Sequence, residues 1–155
     1  LLATHLGDTL HYETELCFAV KNKQLVGVGI GLDLTKRALQ SSLKEKGLPW
    51  ERAKAFDGSV LFSEFIELTP EMTSFIFELH IDGKPVQHGD SQLMLHQPAQ
   101  ILAEVSQFMS LEEGDIIMTG TPAGVGMVST GREFNVALYS GQQCLLEHHW
   151  SVSQS

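Results

Sequence analysis

A chain of 155 residues, 43% hydrophobic and 19% charged, has enough apolar content for one globular domain with its own core. Its formal net charge of −9 argues against a nucleic-acid surface, which needs clustered Lys and Arg. No apolar run reaches the roughly 18 to 20 residues of a membrane span and no signal peptide is legible, although the start at Leu1 rather than Met leads to the expectation of a further N-terminal part.

In chain order, Tyr12 to Val20 reads as a first strand, within the segment LHYETELCF that runs from Leu10 to Phe18. Side chains alternate along a strand, so Glu13 and Glu15 point to the same face. Two adjacent carboxylates on an otherwise apolar strand are either a solvated sheet face or the walls of a cation site, because like charges repel and are costly to desolvate. Leu25 to Asp33 reads as a second strand, with Val26, Val28, Ile30 and Leu32 on one face and Gly27, Gly29, Gly31 and Asp33 on the other. Three glycines in a strand interior imply close approach of a ligand, or of another strand or helix.

Thr35 to Lys46 is expected as a helix, with Leu39 and Leu43 on its apolar side and Gly47 ending it. Arg37 and Gln40, three residues apart, share a second side near Asp33. Lys54 follows, between Ala53 and Ala55, as either a snorkelling surface lysine or a partly buried electrophile and proton carrier. Phe75 to Ile81 and Pro85 to His88 form a hairpin about Asp82-Gly83. Pro98 opens a helix with Ile101, Leu102, Val105 and Phe108 expected on its buried face.

A short strand, Ile116 to Met118, leads into TGTPAGVG, Thr119 to Gly126. This glycine-rich loop lacks the Gly-Lys-Ser/Thr ending of a phosphate-binding loop, and GVGIGL has Leu32 where a dinucleotide fingerprint requires its third glycine. An anion-binding loop using backbone N–H groups and the hydroxyls of Thr119 and Thr121 remains, beside an ordinary tight turn. Glu133 to Val152 is strand-like. Cys17 and Cys144 show neither metal-ligand spacing nor a disulfide framework, which fits free thiols in the cytoplasm. The pattern as a whole is one sheet-dominated α+β domain over residues 1–155.

The segments HYETEL, GLDLTKRALQ, KGLPWERAKAFDGS and LEEGDIIMTGTPAGVG, in that order, resemble the fumarylacetoacetate hydrolase family. The resemblance covers about Leu10 to Leu146 and is nearest to the small members: acylpyruvate hydrolases, oxaloacetate tautomerases or decarboxylases, and homoprotocatechuate-pathway isomerases. It implies the family's mixed β-roll or sandwich with a few short helices. It implies Mg²⁺, or Mn²⁺ or Ca²⁺, held by Glu13, Glu15 and Asp33, with Arg37, Gln40, Lys54 and Thr121 as substrate contacts. The implied chemistry is metal-stabilised enolate formation from a short 2-oxo acid of the acylpyruvate, fumarylpyruvate or oxaloacetate type, ending in tautomerisation or isomerisation, decarboxylation or C–C hydrolysis. The resemblance further implies catalytic roles for Lys54 and Arg37 and, since members of the family are usually homodimers, a homodimer.

Three departures accompany the resemblance. No counterpart of the family's His and Glu lid pair precedes the glutamate strand, and neither His5 nor His11 lies in its context. The stretch between Phe18 and Val26 is shorter than in relatives, so a loop is expected to be missing there. Ala38 replaces a common aspartate. A catalytically silent, metal-stabilised homodimeric binding module is therefore the alternative reading.

Overall fold

The computed structural model describes residues 1–153. After β1 (Thr4–His5), β2 (Asp8–Lys21) and β3 (Gln24–Lys36) form a long antiparallel hairpin. Asn22 and Lys23 join them with φ of 50° and 58°. Positive φ at both central positions is what a type I′ turn requires, and its twist matches that of paired strands. Both strands outrun the apolar alternation of the sequence because their ladder continues from Lys21↔Gln24 to Leu10↔Lys36.

That continuation corrects the first helix. Thr35 and Lys36 pair with His11 and Leu10 as strand residues, so α1 spans only Arg37–Glu45. Leu39 and Leu43 are half-buried rather than a core face, and the buried residue of α1 is Gln40. Gly47, with φ of 63°, ends α1 as expected: its N–H donates to the Lys44 carbonyl while that of Leu48 donates to Leu43.

A 3-10 turn, Glu51–Ala53, precedes β4 (Val60–Phe62) and β5 (Ile66–Glu67). The hairpin of β6 (Ile76–Ile81) and β7 (Lys84–Asp90) turns at Asp82 and Gly83, both at positive φ. Next come α2 (Pro98–Val105), β8 (Ile116–Met118), β9 (Gly126–Met127), β10 (Glu133–Ser140) and β11 (Gln143–Ser151).

Two sheets result. One runs β1-β2-β3-β4, with β5 on β3 and both β8 and β9 on β2, and the other runs β11-β10-β6-β7; all these pairings are antiparallel. Leu10, Tyr12, Leu16 and Phe18 of β2 and Val28, Ile30, Leu32 and Leu34 of β3 share one core with Phe77, Leu79, Phe134, Val136, Leu138 and Trp150 of the second sheet. The Tyr12 and Phe134 rings meet edge to face, centroids 5.1 Å apart. Each fully buried side chain of this size contributes about 1.5–3 kcal/mol.

No residue of α2 belongs to that core, which corrects the expected buried face. Ile101, Leu102 and Val105 are only half-buried, the helix closes at Val105, and Phe108 beyond it is 75% exposed. The two sheets cover each other's apolar faces and leave α2 at the margin.

The glycine row of β3 lies on the opposite, outer face, where the link from β4 to β5, which both pair alongside β3, crowds against it. A Cβ on Gly29 would stand 2.9 Å from the Glu64 carbonyl oxygen, and one on Gly31 would stand 2.7 Å from Cys17 Sγ. Backbone, aromatic side chains and the Cys17 thiol, rather than a ligand, make the close approach. Ser63 secures this link by accepting the Ile30 N–H at 3.0 Å. Gly29→Ala is therefore expected to destabilise the protein by about 1–3 kcal/mol through overpacking. An unchanged urea midpoint would show that residues 62–66 do not press on this row.

Candidate functional site

The pairing of β2 with β3 sets Glu13 opposite Asp33 and Glu15 opposite Gly31, all on the outer face. One carboxylate oxygen from each of Glu13, Glu15 and Asp33 lies within 4.8 Å of the other two. Like charges directly opposite each other weaken a strand pair, and two cations offset them here. Lys54 Nζ donates to Asp33 Oδ2 at 2.5 Å, to Glu13 Oε2 at 3.1 Å and to Thr35 Oγ1 at 2.8 Å. Arg37 donates from Nη2 to Glu13 Oε1 at 2.7 Å and from Nη1 to Gln40 Oε1 at 2.9 Å.

Local structure explains these positions. Arg37 and Gln40 face each other because they are three apart in the first turns of α1. Lys54 leaves the 3-10 turn beside fully buried Ala53. Two residues on, the Phe56 ring packs 4.8 Å from the His5 ring and 5.0 Å from Lys36 Nζ, which holds this segment against the sheet.

Glu15 is treated differently from its neighbours. Only 6% exposed, it accepts the Gly120 N–H at 2.7 Å and receives no hydrogen bond from Lys54 or Arg37 among the described residues. Burial pushes its carboxyl up to about 7, with the charges of Asp33 and Glu13 adding to the rise and the Gly120 hydrogen bond opposing it. Asp33 is raised as well, chiefly by burial, against Lys54. Burial also opposes ionisation of Glu13, but the hydrogen bonds and charges of Arg37 and Lys54 together outweigh it and hold that carboxyl below its usual range.

Three carboxylates thus face two cations, and the third, which neither cation hydrogen-bonds, has its proton affinity raised chiefly by burial. An all-oxygen donor set of this kind fits a hard divalent cation such as Mg²⁺, Mn²⁺ or Ca²⁺. The ammonium of Lys54, bridging Glu13 and Asp33, already shows that a positive charge is accommodated between them.

The loop after β8 borders this centre. Between the stretch of β2 paired with β8 and that paired with β9, strand partners give way to loop side chains: Thr119 Oγ1 donates to the Leu16 carbonyl at 2.7 Å and Thr121 Oγ1 to the Thr14 carbonyl at 2.8 Å. Thr121 therefore spends its one hydroxyl proton on β2 in this arrangement. A cleft of about 420 Å³ lined by Leu93, Leu95, Ile101 and Thr119–Pro122 opens beside Gly120.

The structure brings Glu13, Glu15, Asp33, Arg37, Gln40 and Lys54 together, and sets Thr121 at the loop bordering them. Ala38 points to solvent. Sequence reasoning missed Thr35, which it placed in a helix, and the amide of Gly120. His11, not assigned to the lid pair, lies on the face of Glu13, with its pKa lowered by burial and then by Arg37. Strand alternation from Glu13 back to His11 was the available signal.

The family model for the fumarylacetoacetate (FAA) hydrolase C-terminal region matches residues 7–149. The chain is 39% identical over 138 residues to an oxaloacetate tautomerase of Escherichia coli, covering 87% of this chain and 62% of that protein. It is 36% identical over 149 residues to a mitochondrial oxaloacetate tautomerase of Schizosaccharomyces pombe, covering 86% and 67% respectively. Among solved structures, a fumarylpyruvate hydrolase of Pseudomonas aeruginosa in complex with Mn²⁺ and pyruvate superposes with a TM-score of 0.88 at 30% identity, covering 99% of this chain and 70% of that one. The chain thus spans less than two thirds of the length of the Escherichia coli relative.

The raised carboxyl of Glu15 has a consequence for stability. The folded, metal-free protein holds this proton more tightly than the unfolded chain, whose Glu titrates near 4.5, so stability falls as pH rises from about 4.5 to about 7. The loss is of order 3 kcal/mol and complete above that window. Glu15→Gln, which keeps an oxygen for the Gly120 N–H, is expected to melt higher than wild type at pH 8 in chelator and equally near pH 4. Identical melting at pH 8 would show that the carboxylate is not strained.

Proposed function

The chain belongs to the fumarylacetoacetate hydrolase C-terminal family, and on that premise we propose that residues 1–155 form the catalytic domain of a divalent-metal-dependent enzyme acting on a short 2-oxo or enol acid. Keto–enol tautomerisation of an oxaloacetate-type substrate is the preferred reaction. The observation that carries this reading is the convergence of Glu13, Glu15 and Asp33 with Lys54 and Arg37 on one sheet face. C–C hydrolysis of an acylpyruvate or fumarylpyruvate is the second reading, favoured by the likeness to the Pseudomonas aeruginosa hydrolase.

Glu13, Glu15 and Asp33 would hold the cation, Mg²⁺ or Mn²⁺, which when bound supplies Lewis-acid polarisation of a chelating 2-oxo acid. Arg37 uses two of its five N–H donors on Glu13 and Gln40, so its guanidinium is held in one orientation with donors left for a substrate carboxylate. Gln40, buried against it, orients the arginine. Lys54 is a fixed, partly buried ammonium, about a quarter exposed, that can stabilise negative charge as it develops on the substrate's 2-oxo oxygen or return a proton to it. Thr121 and its neighbours border the site and limit the room available to the substrate.

A homodimer is part of the proposal, resting on the resemblance to a family whose members are usually homodimers. Free Cys17 and Cys144 support a reducing, cytoplasmic setting. Among the described residues no helix is long and apolar enough to cross a membrane.

Mn²⁺ or Mg²⁺ at a hundred times its dissociation constant is expected to stabilise the protein by about 2.7 kcal/mol. Glu15→Ala and Asp33→Ala should abolish that gain, and melting of wild type that ignores both ions would remove the metal from this reading. Lys54→Met is expected to keep the metal-induced shift while lowering turnover by about a hundredfold or more. Parallel assays of oxaloacetate tautomerisation and acylpyruvate cleavage with Mn²⁺ separate the two reactions; activity in neither would favour a silent metal-stabilised module.

A further inference from the structure

Gln87 lies on β7, in the sheet opposite the carboxylates, and is 3% exposed. Its Oε1 accepts the Thr14 N–H at 3.1 Å, while its Nε2 donates to Thr121 Oγ1 at 2.9 Å and to the Pro122 carbonyl at 3.1 Å. The amide has one orientation only, since its oxygen meets an N–H and its nitrogen meets a carbonyl. These bonds stand where β2 lacks a strand partner on this side, in the stretch that β8 leaves at Cys17 and β9 takes up at Tyr12.

A second contact binds the same loop to the same residues of β7. Gly124, with φ of 106°, passes so close that a Cβ there would lie 2.2 Å from the Val86 carbonyl oxygen and 2.9 Å from Gln87 Cγ. Between Thr119, bonded to Leu16, and Thr121, bonded to both Thr14 and Gln87, stands Gly120, whose N–H reaches Glu15 Oε2. The direction of that N–H is set by its two neighbours, and one of them is held by Gln87.

We infer that Gln87 is a positioning residue for the carboxylate centre: through Thr14 and Thr121 it fixes the Gly120 amide on Glu15, and so ties the arrangement of Glu15 to the opposite sheet. The inference rests on the metal reading of Glu13, Glu15 and Asp33. Gln87 touches none of those carboxylates, and its influence passes entirely through the loop and the β2 backbone.

The test measures Mn²⁺ binding by titration of wild type, Q87L, Q87E and T121V, together with hydrogen exchange of the Gly120 amide in the metal-free proteins. Q87L is expected to weaken Mn²⁺ binding about tenfold or more, as loss of an outer support does at metal sites, and to speed Gly120 exchange. Q87E keeps an acceptor for Thr14 but sets an oxygen against the Pro122 carbonyl, so it should follow Q87L. T121V removes the bond from the loop's side and should give the same change, with the Q87L/T121V double variant adding little. Wild type that binds Mn²⁺ while Q87L binds it equally, with Gly120 exchange unchanged, overturns the inference even where melting falls, because Gln87 would then only support the fold. If Q87L does not fold, T121V decides by the same two measurements. Wild type that takes no Mn²⁺ overturns the metal reading and the inference with it.

Discussion

Repulsion among three carboxylates on one sheet face is the constraint around which the rest of this structure is arranged. Glu13 sits directly across from Asp33, and the oxygens of the trio lie within 4.8 Å of one another. At such separations each like-charge pair costs on the order of 3 kcal/mol at a dielectric of about 20. Lys54 and Arg37 hydrogen-bond to Glu13 and Asp33, whereas Glu15, which feels the Lys54 charge at longer range, accepts only the Gly120 amide among the described residues. The centre is therefore one positive charge short, and its third member is satisfied by a proton or by a cation.

Such a centre persists because the same strands are well anchored on their other face. Tyr12, Leu16 and Phe18 alternate with Glu13, Glu15 and Cys17, so β2 serves the core and the site at once. A slip of one residue would send every carboxylate into the core. The Asn22–Lys23 turn and the bulge between Ala19 and Val20 set the register against that outcome. Crowding of the β3 glycines by residues 62–66 adds a steric lock, and it ends short of Asp33, whose side chain keeps about a fifth of its surface.

The second sheet contributes more than a cover for the core. Gln87 reaches from β7 into the gap along β2, and the TGTPAGVG loop folds around it. The loop serves the site chiefly by directing one amide at Glu15, while its threonines bond to the β2 backbone. Gly124 is required there because only a residue without a side chain fits against Val86 at that backbone angle.

By itself the sequence determined what short-range periodicity can report. Alternation placed Glu13 and Glu15 on one face and Asp33 at the end of the glycine row, and helical spacing joined Arg37 to Gln40. The tertiary structure decided whatever depends on partners distant in the chain: that Asp33 faces Glu13 across the ladder, that Thr35 stays in the strand to accept Lys54, that Phe108 is exposed, and that Gln87 governs the loop. The physical reason is that periodicity names the face on which a side chain lies, whereas its partner is chosen by strand register and by the packing of one sheet on another.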